Sequence, residues 1–218
     1  MNHPQIKICG LTRADEAVRC AELGADAIGL VFFAKSPRNV SAAQAKEITR
    51  ALPPSVVPTG VFVNESYEFI MEKVDQCGLK GVQLHGNESA RLVEMLSREA
   101  LIVIKVLYVE SEPNIRKAAL YDPTSFLVEY SKGSLPGGNA LAWDVDQVNT
   151  LKTDKSVLIA GGLSSDNIRQ AVISATPDGV DVSSGVEKEP GRKDFLKVDA
   201  FIKAVRSCGM EKKPRRIF

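Results

Sequence analysis

The feature that most constrains this chain is a rhythm: short apolar runs recur at intervals of about 20 to 30 residues, separated by longer segments with helical period. The runs are Ile6 to Cys9, Ala27 to Phe32, Val57 to Val63, Gly81 to His85, Ile102 to Val106, Ser125 to Glu129, Ser156 to Ala160 and Gly179 to Val182, most of them bounded by Gly, Pro, Asp or Asn. Between and after them, Ala14 to Leu23, Ala42 to Leu52, Ser66 to Gln76, Ser89 to Ser97, Pro113 to Leu120, Asp144 to Leu151, Ser165 to Ile173 and Asp194 to Ser207 read as helices. Strands that alternate with helices need right-handed crossovers and a parallel sheet. Eight such units fit into 218 residues at roughly 27 each, near the lower limit for a closed (β/α)8 barrel. A doubly wound open sheet is the alternative. The full count of eight, and the lack of a GxGxxG after any strand, favour the α/β barrel.

No Pro-, Gly- or Ser-rich linker divides the chain, so residues 1–207 read as one barrel domain. Cationic and anionic side chains nearly balance, 28 against 27, which leaves no field that calls for nucleic acid or an anionic membrane. The imbalance is local: four cations fall in the last ten residues, so residues 208–218 read as a flexible basic tail on a slightly acidic body. No apolar stretch approaches the length needed to span a bilayer, and the N-terminus lacks a leader pattern, so a cytoplasmic location is expected. Cys9, Cys20, Cys77 and Cys208 have neither disulfide-scaffold nor metal-ligand spacing and read as reduced thiols.

Barrel enzymes place their chemistry where strands end. With Ile6 and Ile8 packed under helices, Lys7 and Cys9 face inward, and the same alternation is expected to point Asn64, Gln83, His85, Lys105, Glu129 and Asp181 inward near later strand ends. Each has a plainer explanation. Cysteine usually packs as a small hydrophobe, His85 could serve a neighbouring loop, and Lys7 with Asp181, on strands that meet when the barrel closes, could be a structural ion pair. Glu129 resists that treatment, because an inward carboxylate followed by the run Lys132 to Asn139 costs desolvation unless it serves something. Strand seven ends in Ala160-Gly161-Gly162 and strand eight in Ser183-Ser184-Gly185. Backbone N–H groups in such turns can cradle an anion, and the loops after strands seven and eight are where many barrels hold a phosphate.

Lys7-Ile8-Cys9-Gly10-Leu11-Thr12, Gly24-Ala25-Asp26-Ala27-Ile28-Gly29, Ser36-Pro37-Arg38 and Gly60-Val61-Phe62-Val63-Asn64 together resemble the phosphoribosylanthranilate isomerases of tryptophan biosynthesis. Gln83-Leu84-His85-Gly86, Ala160-Gly161-Gly162-Leu163 and Asp181-Val182-Ser183-Ser184-Gly185-Val186-Glu187 continue the likeness in the family's order. The resemblance implies a TIM barrel that converts N-(5-phosphoribosyl)anthranilate into 1-(2-carboxyphenylamino)-1-deoxyribulose 5-phosphate by an Amadori rearrangement, without metal or organic cofactor. It implies Cys9 as general base and an acid at the end of strand six; Lys7, two residues before Cys9 on the same inward face, is the cation expected to lower the thiol. Arg38, Gln83, His85 and Asp181 would contact substrate, Arg38 in its Ser-Pro-Arg loop being suited to a forked contact with the anthranilate carboxylate, and Gly161, Gly162, Ser183, Ser184 and Gly185 would hold its phosphate. Only a small phosphorylated molecule is expected as partner, with the chain a monomer or a homodimer.

Strand six departs from the family pattern. Where the family has an aspartate this chain reads Leu127-Val128-Glu129, and Asn139-Ala140 follows the Gly137-Gly138 pair in place of Thr-Gly or Ser-Gly. Glutamate carries the same acid on a longer stem, and a misplacement of about 1 Å can cost on the order of 100-fold in rate. Two alternatives follow: a histidine-pathway isomerase of related chemistry, which uses aspartates at the ends of strands one and six and is disfavoured by Cys9, and a non-catalytic phosphosugar-binding barrel.

Overall fold

A computed structural model describes residues 2–130 and 145–218, apart from the side chains of Val145 and Asp146. Eight parallel strands close into a barrel in chain order: β1 (Gln5–Cys9), β2 (Ala27–Phe32), β3 (Val57–Phe62), β4 (Gly81–Leu84), β5 (Ile102–Tyr108), β6 (Ser125–Glu129), β7 (Ser156–Ile159) and β8 (Gly179–Val182). The open-sheet alternative is thereby excluded, since β8 pairs with β1 as well as with β7. Strands covered on both faces read as continuous apolar runs, and β2, Ala-Ile-Gly-Leu-Val-Phe, is buried throughout.

Six α-helices lie among the described residues: α1 (Ala14–Leu23), α2 (Ala42–Ala51), α3 (Tyr67–Cys77), α4 (Ala90–Ser97), α5 (Ile168–Ala175) and α6 (Phe195–Arg206). Local chemistry sets where several of them begin. Ser41, Ser66 and Ser89 each accept a backbone N–H of the first turn, Ser41 within a capping box with Gln44, and Asp194 does the same for α6. In units five and six the expected helices are instead 3₁₀ segments, Ile115–Leu120 and Val145–Thr150. Six residues are too few for the costly first α turn to be outweighed by propagation. The start of the second expected helix at Asp144, and residues 131–143 before it, lie outside the described residues.

The alternation along each strand sorts side chains into two layers. Ile6 and Ile8 of β1 join the large apolar layer beneath the helices, while Ala27, Ile104, Val106, Leu127 and Leu158 fill the barrel interior. On β5 the inward set is thus Ile104, Val106 and Tyr108, so Lys105 points outward, against expectation. It is fully buried there, pairing with Glu88 Oε2 at 2.6 Å and donating to the Gly86 carbonyl at 2.8 Å. Asn64 likewise leaves the inner face. It adopts a left-handed φ of 57°, and its Oδ1 accepts the N–H of Asn87 at 2.6 Å, joining the loops after β3 and β4.

The segment from Cys208 onward, expected from its charge to be flexible, leaves Glu211, Lys212 and Lys213 exposed but is anchored at its final residues. Ile217 and Phe218 are buried in the interior cluster, against the first residues of β2, β3 and β5, and so stopper the end of the barrel opposite the strand C-termini. Gln5 Oε1 accepts the N–H of Ile217 at 2.6 Å, and Arg215 pairs with Asp178 Oδ2 at 2.9 Å. The positive charge tethers the segment, and its two apolar residues fill the floor. Ending the chain after Arg216 should therefore remove about 3 kcal/mol or more of stability. For a chain of this size that lowers Tm by roughly 6–12 °C. Scanning calorimetry of the shortened chain checks this, and an unchanged Tm would show that the stopper contributes nothing.

Candidate active site

Above the apolar floor, the C-terminal ends of the strands surround a pocket. Every site residue expected from the sequence lines it: Cys9, Arg38, Gln83, His85, Glu129 and Asp181, with Gly161, Gly162, Ser183, Ser184 and Gly185 of the last two loops. Val31, Phe33, Val61 and Val63 supply an apolar wall.

At the base of the pocket, Lys7 Nζ donates to Asp181 Oδ2 at 2.9 Å across the β1–β8 seam, with Lys7 fully buried. The ion pair considered on sequence grounds is present. Burial works against the charge on Lys7, yet Asp181 and Cys9 hold its pKa above the usual lysine range. Cys9 is the next inward residue on β1, and Gly29 of β2 makes room for both. A Cβ at Gly29 would lie 2.6 Å from the Cys9 sulfur and 3.0 Å from Lys7 Nζ. The sequence suggested that Lys7 would lower the Cys9 thiol. Burial is the larger effect and pushes the thiol up, with Lys7 opposing it and Asp181 adding to it.

On the far side, Gln83 Nε2 donates to His85 Nδ1 at 2.9 Å. With Nδ1 accepting, the ring proton sits on Nε2, which faces Glu129 Oε2 at 3.7 Å, too far for a direct hydrogen bond. The Tyr108 ring packs edge-on against His85, with centroids 6.2 Å apart. His85 Nε2, Gln83 Oε1 and Asp181 Oδ1 are buried without a hydrogen-bond partner among the described residues. Three such atoms converging on one pocket suit a ligand carrying hydroxyl or amine groups.

The two glycine-bearing loops form the third wall. Gly161 and Gly162 have left-handed φ values of 86° and 67°, which turns the chain tightly at the end of β7. Asn167 fixes that turn by donating to the Gly162 carbonyl at 2.8 Å and accepting the Ser164 N–H at 2.9 Å. After β8 the chain enters a 3₁₀ turn, Ser184–Val186, and Ser183 Oγ donates to the Cys9 carbonyl at 3.1 Å. Successive N–H groups in such turns form a concave anion site.

Arg38 reaches the pocket from the loop after β2, but its Nε and Nη2 both donate to Glu187, at 2.8 and 2.6 Å. The side of the fork expected to grip a ligand carboxylate is therefore occupied by the protein itself. Sequence reasoning noted Glu187 only as part of a motif and passed over Lys193, whose Nζ donates to Glu187 Oε1 at 2.8 Å and to the Ser183 carbonyl at 3.1 Å. Their partners lie far away in sequence or across a short hairpin, and no spacing pattern marks them. Among the described residues, no group of three His, Cys, Asp or Glu side chains is placed to hold a metal ion.

A closed eightfold parallel barrel whose strand ends gather a thiol, a carboxyl group and two glycine-bearing loops places the chain in a class, the (β/α)8 barrels with a pocket at the strand C-termini. Within that class, residues 6–204 match the model of the N-(5'-phosphoribosyl)anthranilate isomerase family. An isomerase of that name from Desulfatibacillum aliphaticivorans is 46% identical over 98% of this chain and 98% of its own length. The crystal structure of phosphoribosyl anthranilate isomerase from Thermotoga maritima superposes with a TM-score of 0.85 at 35% identity, covering 93% of this chain and 98% of that one. A second structure of such an isomerase holds reduced 1-(o-carboxyphenylamino)-1-deoxyribulose 5-phosphate, with a TM-score of 0.81 at 35% identity and the same coverage. The chain belongs to the N-(5'-phosphoribosyl)anthranilate isomerase family.

The raised Cys9 thiol gives a pH signature for the unliganded protein. A thiol above its ordinary value is mostly protonated at neutral pH, and its thiolate fraction grows as pH rises. Alkylation of Cys9 by iodoacetamide, followed by peptide mass spectrometry, should be slow at pH 7 and still accelerating beyond about pH 9. A rate that levels off near neutrality would show that Lys7 outweighs burial.

Proposed function

We propose that this chain catalyses the Amadori rearrangement of N-(5'-phosphoribosyl)anthranilate in tryptophan biosynthesis, with Cys9 as general base and Glu129 as general acid. The carrying observation is that both groups line the same pocket as Arg38 and the two glycine-bearing loops. One pocket thus offers an acid, a base and contacts for each of the substrate's two anionic ends.

The reaction needs two proton movements. Glu129 gives a proton to the furanose ring oxygen, the C1–O bond breaks, and the anthranilate nitrogen supplies the electron pair that forms the iminium. Cys9 then takes the proton from C2, and the C2–H electron pair moves to form the enolamine, which tautomerises to the ketose. The iminium explains how a thiol held high in the empty site can serve as base. A cation created beside Cys9, adding to the pull of Lys7, lets the thiol pass its proton by way of solvent to the carboxylate left on Glu129, and the thiolate so formed takes the C2 proton. Ring opening therefore comes first. Asp181 Oδ1 and His85 Nε2, which have no hydrogen-bond partner among the described residues, suit the sugar hydroxyls, and the turns at Gly161-Gly162 and Ser183-Ser184-Gly185 suit the phosphate.

Cys9→Ala should lower kcat by at least about 10³-fold while leaving affinity for the reduced product analogue within roughly threefold. Glu129→Gln keeps the size and removes the acid, so turnover should fall by about 10²- to 10⁴-fold, whereas Glu129→Asp, the residue of the family pattern, should stay measurably active. Loss of anthranilate-type fluorescence from freshly prepared substrate reads all three variants. Parental turnover in Cys9→Ala or Glu129→Gln would remove that residue from the mechanism.

A further inference from the structure

Glu187 opens a small antiparallel hairpin, β9 (Glu187–Glu189) with β10 (Arg192–Lys193), in which Glu187 and Lys193 are directly opposed. Glu16 of α1 anchors the hairpin to the barrel, accepting from Arg192 Nε at 2.7 Å and from the Lys193 N–H at 3.1 Å. The Glu187 carboxylate, buried to 4% exposure, takes both Arg38 Nε and Nη2 and shares its Oε1 with Lys193 Nζ. Lys193, fully buried, also donates to the Ser183 carbonyl in the loop after β8. Two cations thus share one carboxylate, leaving a net positive charge at the pocket wall, and Arg38 Nη1 makes no hydrogen bond among the described residues. Burial, together with the nearby Arg38 charge, holds the Lys193 pKa below the usual lysine range despite Glu187, as expected of a cluster with one cation too many.

We infer that Glu187 is a positioning residue for substrate: it turns the free Nη1 edge of Arg38 toward the pocket and, through Lys193 and Ser183, locks that contact to the loop that faces the phosphate. The inference rests on the proposed role of Arg38 as partner of the anthranilate carboxylate. An arginine on a flexible loop would otherwise have to be ordered on each binding event. With one side of the fork already fixed, the remaining edge is presented in a set direction, and the surplus charge favours an anion there.

The test compares the reduced product analogue with the same compound lacking its carboxyl group, each titrated into the full chain. In Glu187→Gln the new amide NH2 opposes an arginine donor, so the fork is released. Affinity for the carboxylated analogue should weaken by about tenfold or more and KM should rise to match, while the decarboxylated analogue and kcat change by less than about threefold. Circular dichroism and Tm establish folding. If Glu187→Gln does not fold, Glu187→Asp, which keeps the charge but is too short to span both cations, should show the same selective loss. Equal loss of both analogues, or no loss of either, overturns the inference. Arg38→Ala separates the two claims. If it too discriminates between the analogues as the parent does, the Arg38 assignment itself is wrong; if it loses discrimination while the Glu187 variant retains it, only the role of Glu187 falls.

Discussion

Closure of the sheet between β1 and β8 is the constraint on which the rest of the molecule depends, and the Lys7–Asp181 pair sits on that seam as opposed residues of the two strands. A buried ion pair contributes little net stability, because desolvation offsets attraction. Its influence is on register. A slip of either strand by one residue would turn its charge into the apolar layer beneath the helices and bring its own apolar residues inward, Ile6 and Ile8 for β1 or Val180 and Val182 for β8, so only one pairing keeps both layers consistent. That pairing brings the loop after β8 beside the end of β1, where Ser183 bonds the Cys9 carbonyl. The thiol, the charged base of the pocket and the glycine-bearing loops are neighbours because the barrel closes in this register.

Where a strand has one polar and one apolar face, the sequence discloses which side chains enter the pocket. Lys7 and Cys9 alternate with two isoleucines, and Gln83 and His85 flank Leu84, so their direction is legible. The strand Ile-Val-Ile-Lys-Val-Leu-Tyr is apolar on both faces, and its one charge does not reveal its phase. Lys105 faces outward because Glu88, in the loop after β4, offers it a buried partner, a tertiary fact invisible in local pattern. The closing segment misleads for a related reason. Four cations within ten residues suggest solvent, yet it is the last two residues, Ile217 and Phe218, that decide where it goes.

The same distinction runs through the pocket. Cys9, Glu129, Arg38 and the glycine-bearing turns announce themselves by residue type at strand ends, because chemistry restricts which side chains can do the work. Glu187 and Lys193 do not, since an ion pair within a short hairpin reads as ordinary surface charge until the hairpin is seen folded against α1. A charge gains its meaning from its neighbours, and these neighbours are set by closure of the barrel.

Electrostatics links the two halves of the site. Lys7 with Asp181 and Lys193 with Glu187 are matched pairs on either side of Cys9, and Arg38 is the cation left over. Lys7 and Lys193 both favour a thiolate, yet burial and Asp181 keep the thiol protonated in the empty pocket. An arriving dianionic phosphate and a carboxylate would satisfy the surplus positive charge and make a thiolate still harder to form. In the proposed reaction only a step that creates positive charge beside Cys9 reverses that balance, and protonation of the ring oxygen, by forming the iminium, is such a step. On that proposal the acid acts before the base, which ties the two proton transfers into a fixed order.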